Sequence, residues 1–222
     1  MTRAQLMVPY RFVFAALALV AVGAQFAVHL ENHFSVVNFF SYFTNLGNLF
    51  AVVVFVVGGV RTLRRRPGSR AWDTVRLISV VDMVFVGLVF NVVLTEVAGG
   101  VLPWVNVVVH MVMPVAVLVD WLVLPVGRRL PWSAAAIGLV VPVAYSVYSL
   151  TRGAVTSFYP YPFYDPEALG GYGPVAVYMV VLLVALAVLS VALVGLARLA
   201  GRFGKQRSRR RRDPRLRRST QR

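Results

Sequence analysis

The sequence predicts an all-α, polytopic membrane protein in which six helices form one transmembrane bundle. The chain has 222 residues, of which 59% are hydrophobic, and its mean hydropathy is +0.73. Such a composition is too apolar for a soluble domain of this length. The charged residues lie mainly between and after the apolar runs, as expected when those runs cross a bilayer. We therefore expect one transmembrane domain over residues 1–200, followed by a basic tail.

Six apolar runs reach or approach the roughly 20 residues that a membrane-spanning helix needs. They cover about residues 8–28, 36–60, 75–95, 102–126, 132–150 and 174–199. The first run follows Met1-Thr2-Arg3 and lacks a small-residue cleavage pattern, so we interpret it as a retained signal-anchor span. We find neither an internal repeat nor a second domain.

The basic residues predict the orientation of these spans. Of the 23 Lys and Arg residues, all but Arg152 belong to the two ends of the chain or to the segments around 61–76 and 128–129, which a six-span topology puts on one side. The positive-inside rule then predicts that both termini are cytoplasmic. Lys205 is the sole lysine, a bias toward Arg that is associated with bacterial proteins. The expected location is a bacterial inner membrane.

The tail, residues 201–222, is basic, polar and without periodicity. This composition predicts disorder and contact with anionic lipid headgroups. Nucleic acid is not an expected partner, because no aromatic residue is interleaved with the arginines from Arg207 onward. Cysteine is absent, which excludes a disulfide framework, a thiolate metal site and a cysteine nucleophile.

A polar face interrupts the second run near its start, between Phe39 and Phe50. At helical spacing Ser41, Thr44 and Asn48 fall on one side, with Gly47 at the edge where a neighbouring helix can approach. Polar groups in hydrocarbon need partners, so this face should look toward a polar pocket or another helix.

The fourth run carries His110, the one histidine well inside a span. Both runs start on the outer side, and Thr44 and His110 each lie eight residues past the start of their run, roughly 12 Å inward. A neutral imidazole at that depth can take the proton of a threonine hydroxyl and make it a nucleophile. The pair Thr44 and His110 is therefore the predicted catalytic centre.

Four further residues are candidates to support that centre. The side-chain amides of Asn45, Asn48 and Asn91 can donate to a developing oxyanion, and the sequence does not choose among them. Ser41 shares the predicted polar face with Thr44.

Two carboxylates, Asp82 and Asp120, lie inside the third and fourth runs. A charge in hydrocarbon is costly unless it is paired or reaches water. Asp120 lies ten residues beyond His110, roughly 15 Å farther in, so it should not orient the imidazole. The default for both carboxylates is a structural or proton-handling role near the inner face.

Ordinary structural roles compete with these interpretations. A membrane threonine commonly bonds back to a carbonyl one turn earlier, and a lone histidine often only joins helices. Haem is disfavoured because His29 and His33 lie well above His110, and no cluster has zinc-ligand spacing. No Gly-x-Ser-x-Gly motif is present. No metal or cofactor is expected.

The segment between the fifth and sixth runs contains Tyr159-Pro160-Tyr161-Pro162-Phe163. Its prolines break helix and strand alike, and its aromatic side chains suit the membrane interface. Two interpretations stay open: an aromatic belt, or a cap over an outward-facing pocket.

The motifs Ser41-Tyr42-Phe43-Thr44-Asn45-Leu46 and His110-Met111-Val112-Met113-Pro114, in the second and fourth of six spans, resemble those of the androgen-induced-gene-1-like membrane proteins. The resemblance implies a six-helix hydrolase that cleaves fatty acid esters of hydroxy fatty acids. It also implies a threonine nucleophile with a histidine partner, roles that fall on Thr44 and His110. The Arg-rich inner loops and the Pro-rich outer loop depart from the animal members.

We therefore expect an intramembrane lipid-ester hydrolase whose partners are membrane lipids or lipid esters. The main alternative is a non-enzymatic transporter or lipid-binding membrane protein, in which the same polar residues hold a headgroup. A third is a purely structural bundle without a cavity. Distance discriminates among them, since the enzyme needs the Thr44 hydroxyl and a His110 ring nitrogen roughly 3 Å apart beside a pocket.

Overall fold

The computed structural model describes residues 3–94, 100–124, 126 and 130–212, with side chains described to residue 200. Within these residues the secondary structure is helical and includes no strand. Six long helices follow one another: α1 (Arg3–Glu31), α2 (Phe43–Leu63), α3 (Arg70–Leu94), α4 (Pro103–Val123), α5 (Ala134–Thr156) and α6 (Tyr172–Arg212). All six contain a window long and apolar enough to cross a membrane. The chain is a multi-pass membrane protein with the predicted all-α, six-helix architecture.

An even number of spans leaves the start of α1 and the end of α6 at one end of the bundle, the inner end, and the α1–α2 and α5–α6 connections at the other, the outer end. That the inner end faces the cytoplasm stays a prediction. Parts of other predictions lie outside the described residues, namely Thr95 at the end of the third run, Arg128, Arg129 and the tail from residue 213.

The second apolar run is not one helix, which corrects the prediction of a continuous span from residue 36. A short helix, Val36–Phe39, is capped by the Ser35 hydroxyl, and α2 begins only at Phe43. The Asn45 amide donates to the Phe39 carbonyl at 2.8 Å, at the end of the short helix, where the Tyr42 N–H reaches that carbonyl only at 3.5 Å. This side-chain bond offers the backbone an alternative to continuous helix, so hydropathy alone missed the break.

The sixth helix also differs from its predicted bounds. It continues through residue Arg212, into the segment for which composition favoured disorder. A helix already nucleated in the membrane gains one hydrogen bond for each further residue it orders, which favours its extension into a polar segment.

Small residues let neighbouring helices approach closely. α1 presents Ala15, Ala18 and Ala21 to the bundle, all buried. In α2, a Cβ on Gly59 would lie 2.9 Å from the Phe12 ring of α1. Gly138 of α5 allows the same kind of approach by α3 and α6. Such contacts hold membrane helices together where no hydrophobic force acts between them.

The outer connection between α5 and α6 folds back onto the bundle. α5 ends at Thr156, and its C-cap Ser157 has a left-handed φ of 56°. The chain then passes Tyr159 across Gly153, where a Cβ would overlap the tyrosine ring. A 3-10 turn, Pro162–Tyr164, and a short helix, Pro166–Leu169, lead to α6. We call residues 157–171 the outer loop.

Candidate functional site

Thr44 and His110 meet near the outer end of the bundle. Thr44 is the second residue of α2, His110 lies in α4, and Thr44 Oγ1 is 3.2 Å from His110 Nε2. Thr44 is almost fully buried, whereas His110 is partly exposed and lines an adjoining cavity. The distance is that of a hydrogen bond, and it is the one that a nucleophile and its base require.

The partners of His110 assign its tautomer. Nδ1 lies 3.2 Å from the backbone carbonyl oxygen of Asn106. A carbonyl only accepts, so in the neutral ring Nδ1 carries the proton and Nε2 keeps a free lone pair. The Thr44 hydroxyl then donates to Nε2. The Asn106 carbonyl thereby fixes the ring in the form that can remove the Thr44 proton.

His110 lies in an irregular stretch of α4 that proline explains. Residues Val108–Val112 form a π-helical turn, in which the Met113 N–H donates to the Val108 carbonyl five residues back. Pro114 follows and has no N–H to offer. The Val109 carbonyl therefore loses its usual backbone donor, and the Asn48 amide of α2 fills the place at 3.2 Å. Wide turns of this kind occur often at functional sites.

A second π-helical turn, Phe90–Leu94 in α3, lies against one face of the imidazole ring. The Phe90 ring stacks on His110 with centroids 3.8 Å apart and planes 15° apart. Gly87, one turn earlier, allows this approach, because a Cβ there would lie 3.0 Å from Pro114 and 3.3 Å from the His110 carbonyl oxygen. The imidazole is thus fixed by a hydrogen bond at one edge and by an aromatic ring on its face.

The outer loop contributes Tyr161, a residue that sequence reasoning did not single out. Its hydroxyl lies 3.3 Å from Thr44 Oγ1 and accepts a hydrogen bond from the Thr44 backbone N–H at 3.2 Å. The aromatic loop motif was the available signal, but which of its tyrosines turns inward depends on how the loop folds over Gly153. The loop covers the site, and an aromatic belt at the membrane interface stays a prediction.

The predicted supporting residues occupy other positions. Ser41 precedes α2 instead of sharing its face with Thr44, and its hydroxyl bonds the Val37 carbonyl and the Tyr148 hydroxyl. This corrects the predicted polar face, because the chain turns between Phe39 and Phe43.

The three asparagines all donate to backbone carbonyls. Asn45 bonds the Phe39 carbonyl, Asn48 bonds those of Thr44 and Val109, and Asn91 bonds that of Gly87. Asn91 is moreover exposed on α3 and lines neither cavity at the site. Asn45 and Asn48 shape the backbone around Thr44, and the Asn91 amide bonds its own helix.

Thr44 borders two cavities. The outer cavity, about 440 Å³, is lined by polar and aromatic residues of α1, α2, their connection, α4 and the outer loop, including His29, Asn38, Asn45 and His110. The apolar cavity, about 270 Å³, lies between α3, α5, α6 and the outer loop. Thr44, Phe90, Leu94 and Tyr161 line both.

The apolar cavity has a closed floor and an open side. Beneath its lowest lining residues, a Cβ on Gly138 would lie 2.5 Å from Ser190 Oγ and 3.1 Å from Val81, so the helices are in close contact there. At its side, the lining residues Val147 and Leu183 are 62% and 46% exposed. The cavity therefore opens toward the lipid that surrounds the bundle.

Arg152 lies at the edge of the outer cavity. Its Nη2 donates to Asn38 Oδ1 at 2.7 Å, and its guanidinium lies 4.7 Å from the centroid of the Phe158 ring. Asn38 and Phe158 both line the cavity. Because a guanidinium only donates, the Asn38 oxygen must face it, and the Asn38 amide N–H groups point elsewhere.

The two carboxylates lie away from this site. Asp120 is buried and accepts hydrogen bonds from Arg11 at 2.7 and 3.1 Å and from Arg76 at 3.1 Å. These ion pairs join α1, α3 and α4. Asp82 is buried in α3, and its Oδ1 has no hydrogen-bond partner among the described residues. Neither carboxylate lines either cavity.

Within the described residues, no group of three or more His, Asp or Glu side chains is placed to hold a metal ion. Comparison with family models, curated proteins and solved structures gives no match for this chain. The resemblance to the androgen-induced-gene-1-like proteins stays a prediction from the two motifs.

Proposed function

We propose that the protein is an intramembrane lipid-ester hydrolase in which Thr44 is the nucleophile and His110 the general base. The observation that carries the proposal is the 3.2 Å contact between Thr44 Oγ1 and His110 Nε2, with the opposite ring nitrogen held by the Asn106 carbonyl. Nucleophile, base and orienting group are the three parts that activate a hydroxyl in hydrolases.

The cavities support an ester with one hydrocarbon arm and one more polar arm. A hydrocarbon chain fits the apolar cavity, which it can enter sideways from the bilayer. The other arm then extends into the outer cavity, and the ester group lies at Thr44, which lines both cavities. Fatty acid esters of hydroxy fatty acids have this form, and their free carboxylate would be attracted by Arg152 at the cavity edge.

In the proposed cycle Thr44 Oγ1 attacks the ester carbonyl carbon while His110 Nε2 takes its proton. The tetrahedral intermediate collapses, the ester C–O bond breaks, and the departing alcohol oxygen takes that proton from His110. Water then attacks the acyl-threonine and gives a proton to His110. The second collapse releases the fatty acid and returns the proton to Thr44.

Transport is the main alternative function, and the geometry favours it less. A transporter needs access to its site from both faces of the membrane. The outer cavity lies at the outer end of the bundle, the apolar cavity reaches inward as far as Pro142, and neither lining includes Asp82 or Asp120. A non-enzymatic lipid-binding protein would use the same cavities without turnover, so the experiment must separate binding from hydrolysis.

The experiment uses the full chain in lipid nanodiscs with a fatty acid ester of a hydroxy fatty acid, and it measures the fatty acid released. Thr44→Ala and His110→Ala should each lower turnover by at least about 10³-fold. A fluorophosphonate probe should label the wild type and not Thr44→Ala. Unchanged release and labelling in both variants would contradict the proposal, and binding without release by the wild type would favour the lipid-binding alternative.

The remaining assignments belong to the same proposal. A role in lipid metabolism follows from the substrate class. A bacterial inner membrane follows from the arginine-rich inner segments, and contact of the basic tail with anionic lipid headgroups follows from its charge.

A further inference from the structure

The proposed hydrolysis needs a group that stabilises the negative charge on the ester oxygen as the tetrahedral intermediate forms. The asparagine amides predicted for this task are largely used elsewhere. Asn48 donates both amide N–H groups to backbone carbonyls at 2.8 and 3.2 Å, Asn45 donates one to the Phe39 carbonyl at 2.8 Å, and Asn91 lines neither cavity. Other donors lie directly at Thr44.

Two donors stand directly at the nucleophile. Thr44 is the second residue of α2, so its backbone N–H has no partner within the helix. The helix cap residue, Tyr42, makes no side-chain capping bond. The Thr44 N–H donates instead to the Tyr161 hydroxyl at 3.2 Å, and the same hydroxyl is 3.3 Å from Thr44 Oγ1. The Thr44 hydroxyl uses its proton in the bond to His110, and the Thr44 N–H donates to the Tyr161 oxygen. The Tyr161 O–H is therefore left to donate to the carbonyl oxygen of a bound ester.

Tyr161 is well held for this task. It lies between Pro160 and Pro162, and its ring stacks on Phe163 with centroids 5.2 Å apart and planes 13° apart. Edge contacts to Tyr42 and Tyr145 enclose the other sides. Loss of hydration raises the pKa of Tyr161 to about 12, so the hydroxyl keeps its proton near neutral pH. A proton-bearing, rigidly packed donor is what an oxyanion hole requires.

We propose that the Tyr161 hydroxyl and the backbone N–H of Thr44 form the oxyanion hole, which makes Tyr161 a catalytic residue supplied by the outer loop. This inference rests on the proposed hydrolase function. The bound ester places its carbonyl oxygen beside the two donors, within hydrogen-bond distance of both, and the bonds to that oxygen replace the bond that the donors now make with each other. The nucleophile's own backbone N–H has the same role in serine proteases.

The step balances without any further reactant. As the bond from Thr44 Oγ1 to the carbonyl carbon forms, the carbonyl π pair moves onto oxygen, and the Thr44 proton goes to His110 Nε2. Tyr161 O–H and Thr44 N–H donate hydrogen bonds to that oxygen without transferring a proton. When the alcohol leaves, the pair returns to form the carbonyl of the acyl-threonine.

The decisive variant is Tyr161→Phe, which removes the donor and keeps the ring. We expect kcat to fall by about 10²- to 10³-fold, the loss typical for one oxyanion-hole donor, with KM within about 3-fold of the wild type. The matched control is Tyr10→Phe. Its hydroxyl also donates to a carbonyl, that of Ala116 at 2.9 Å, but far from the site, and kcat should not change.

A second measurement does not depend on turnover. An ester with a ¹³C-labelled carbonyl is bound to Thr44→Ala, which retains the backbone N–H, and its carbonyl stretch is recorded by infrared spectroscopy. Adding Tyr161→Phe should move the band to higher frequency, because one hydrogen bond is lost. A merely structural role for Tyr161 would lower stability without moving this band.

The outcomes separate the two proposals. A Tyr161→Phe protein with wild-type kcat and an unmoved carbonyl band overturns the oxyanion hole, while loss of activity in Thr44→Ala still upholds the hydrolase. Wild-type turnover in Thr44→Ala, or no turnover in the wild type, overturns the hydrolase and with it the catalytic role of Tyr161.

Discussion

Polar side chains are buried at both ends of this bundle, but their bonding partners and the space beside them differ. At the inner end, Asp120 is held by charge-assisted bonds to Arg11 and Arg76, and it lines neither of the two cavities described above. At the outer end, Thr44, His110 and Tyr161 share longer, neutral hydrogen bonds and border two cavities. The inner cluster, Asp120 with Arg11 and Arg76, uses its hydrogen bonds to hold the helices together. The outer cluster, Thr44 with His110 and Tyr161, makes hydrogen bonds that a ligand in the cavities can replace.

This difference makes a general point about intramembrane polar residues. Both clusters satisfy the rule that a buried polar group needs a partner, so burial alone does not distinguish structure from function. What distinguishes a functional cluster from a structural one is a cavity beside the bonded groups. Four variants test that distinction.

Asp120→Ala should have the largest effect, and it should be an effect on stability. Removing the carboxylate leaves Arg11 and Arg76 buried without their counter-charge, which costs about 3–5 kcal/mol of unfolding free energy. Unfolding by SDS, followed by tryptophan fluorescence, measures the loss. Turnover per folded molecule should stay at the wild-type value. A loss of this turnover would show that Asp120 contributes to the site and would contradict a purely structural role.

Gly153→Ala should act on the outer cluster through the loop. The new Cβ overlaps the Tyr159 ring and displaces the chain that carries Tyr161, so kcat should fall by roughly 10- to 100-fold. Gly173→Ala is the matched control, because nothing lies within 4 Å of a Cβ at that position. Equal activities of the two variants would show that the loop does not position Tyr161.

Arg152→Gln should alter substrate choice more than rate. Arg152 is the basic side chain bonded to Asn38 at the outer cavity, so it should favour an ester whose second arm ends in a carboxylate. We expect kcat/KM for that ester to fall about 10-fold, as for loss of one charge-assisted hydrogen bond. The methyl-capped ester serves as the control and should be hydrolysed as before. An equal loss for both esters would argue against charge recognition.

Asn91→Ala should have the smallest effect. Its amide bonds the Gly87 carbonyl on an exposed face of α3, where water or lipid headgroups can reach it. Turnover of the variant should remain within about 2-fold of the wild type, because surface changes away from a site cost little. A large loss would return Asn91 to the list of oxyanion donors that the sequence left open.

Much of the fold was predictable because hydropathy is a local property. A run of about 20 apolar residues forms a helix in lipid whatever its neighbours do, since its backbone can bond only within itself. Thr44 and His110 could be paired because both lie near the outer ends of helices that start on the same side. The depth argument assumed a continuous helix from Val36, however, and Asn45 shows why that helix breaks.

Sequence alone therefore determined the number of spans, their approximate bounds and the two residues at the centre of the candidate site. Tertiary structure decided which tyrosine of the outer loop reaches Thr44, which carbonyl fixes the His110 tautomer, and that Asp120 is paired. It also removed Asn91 from the site. The reason is physical: these features depend on helix rotation and on backbone hydrogen-bond register. Packing against neighbouring helices sets both, and no local pattern of residues encodes them.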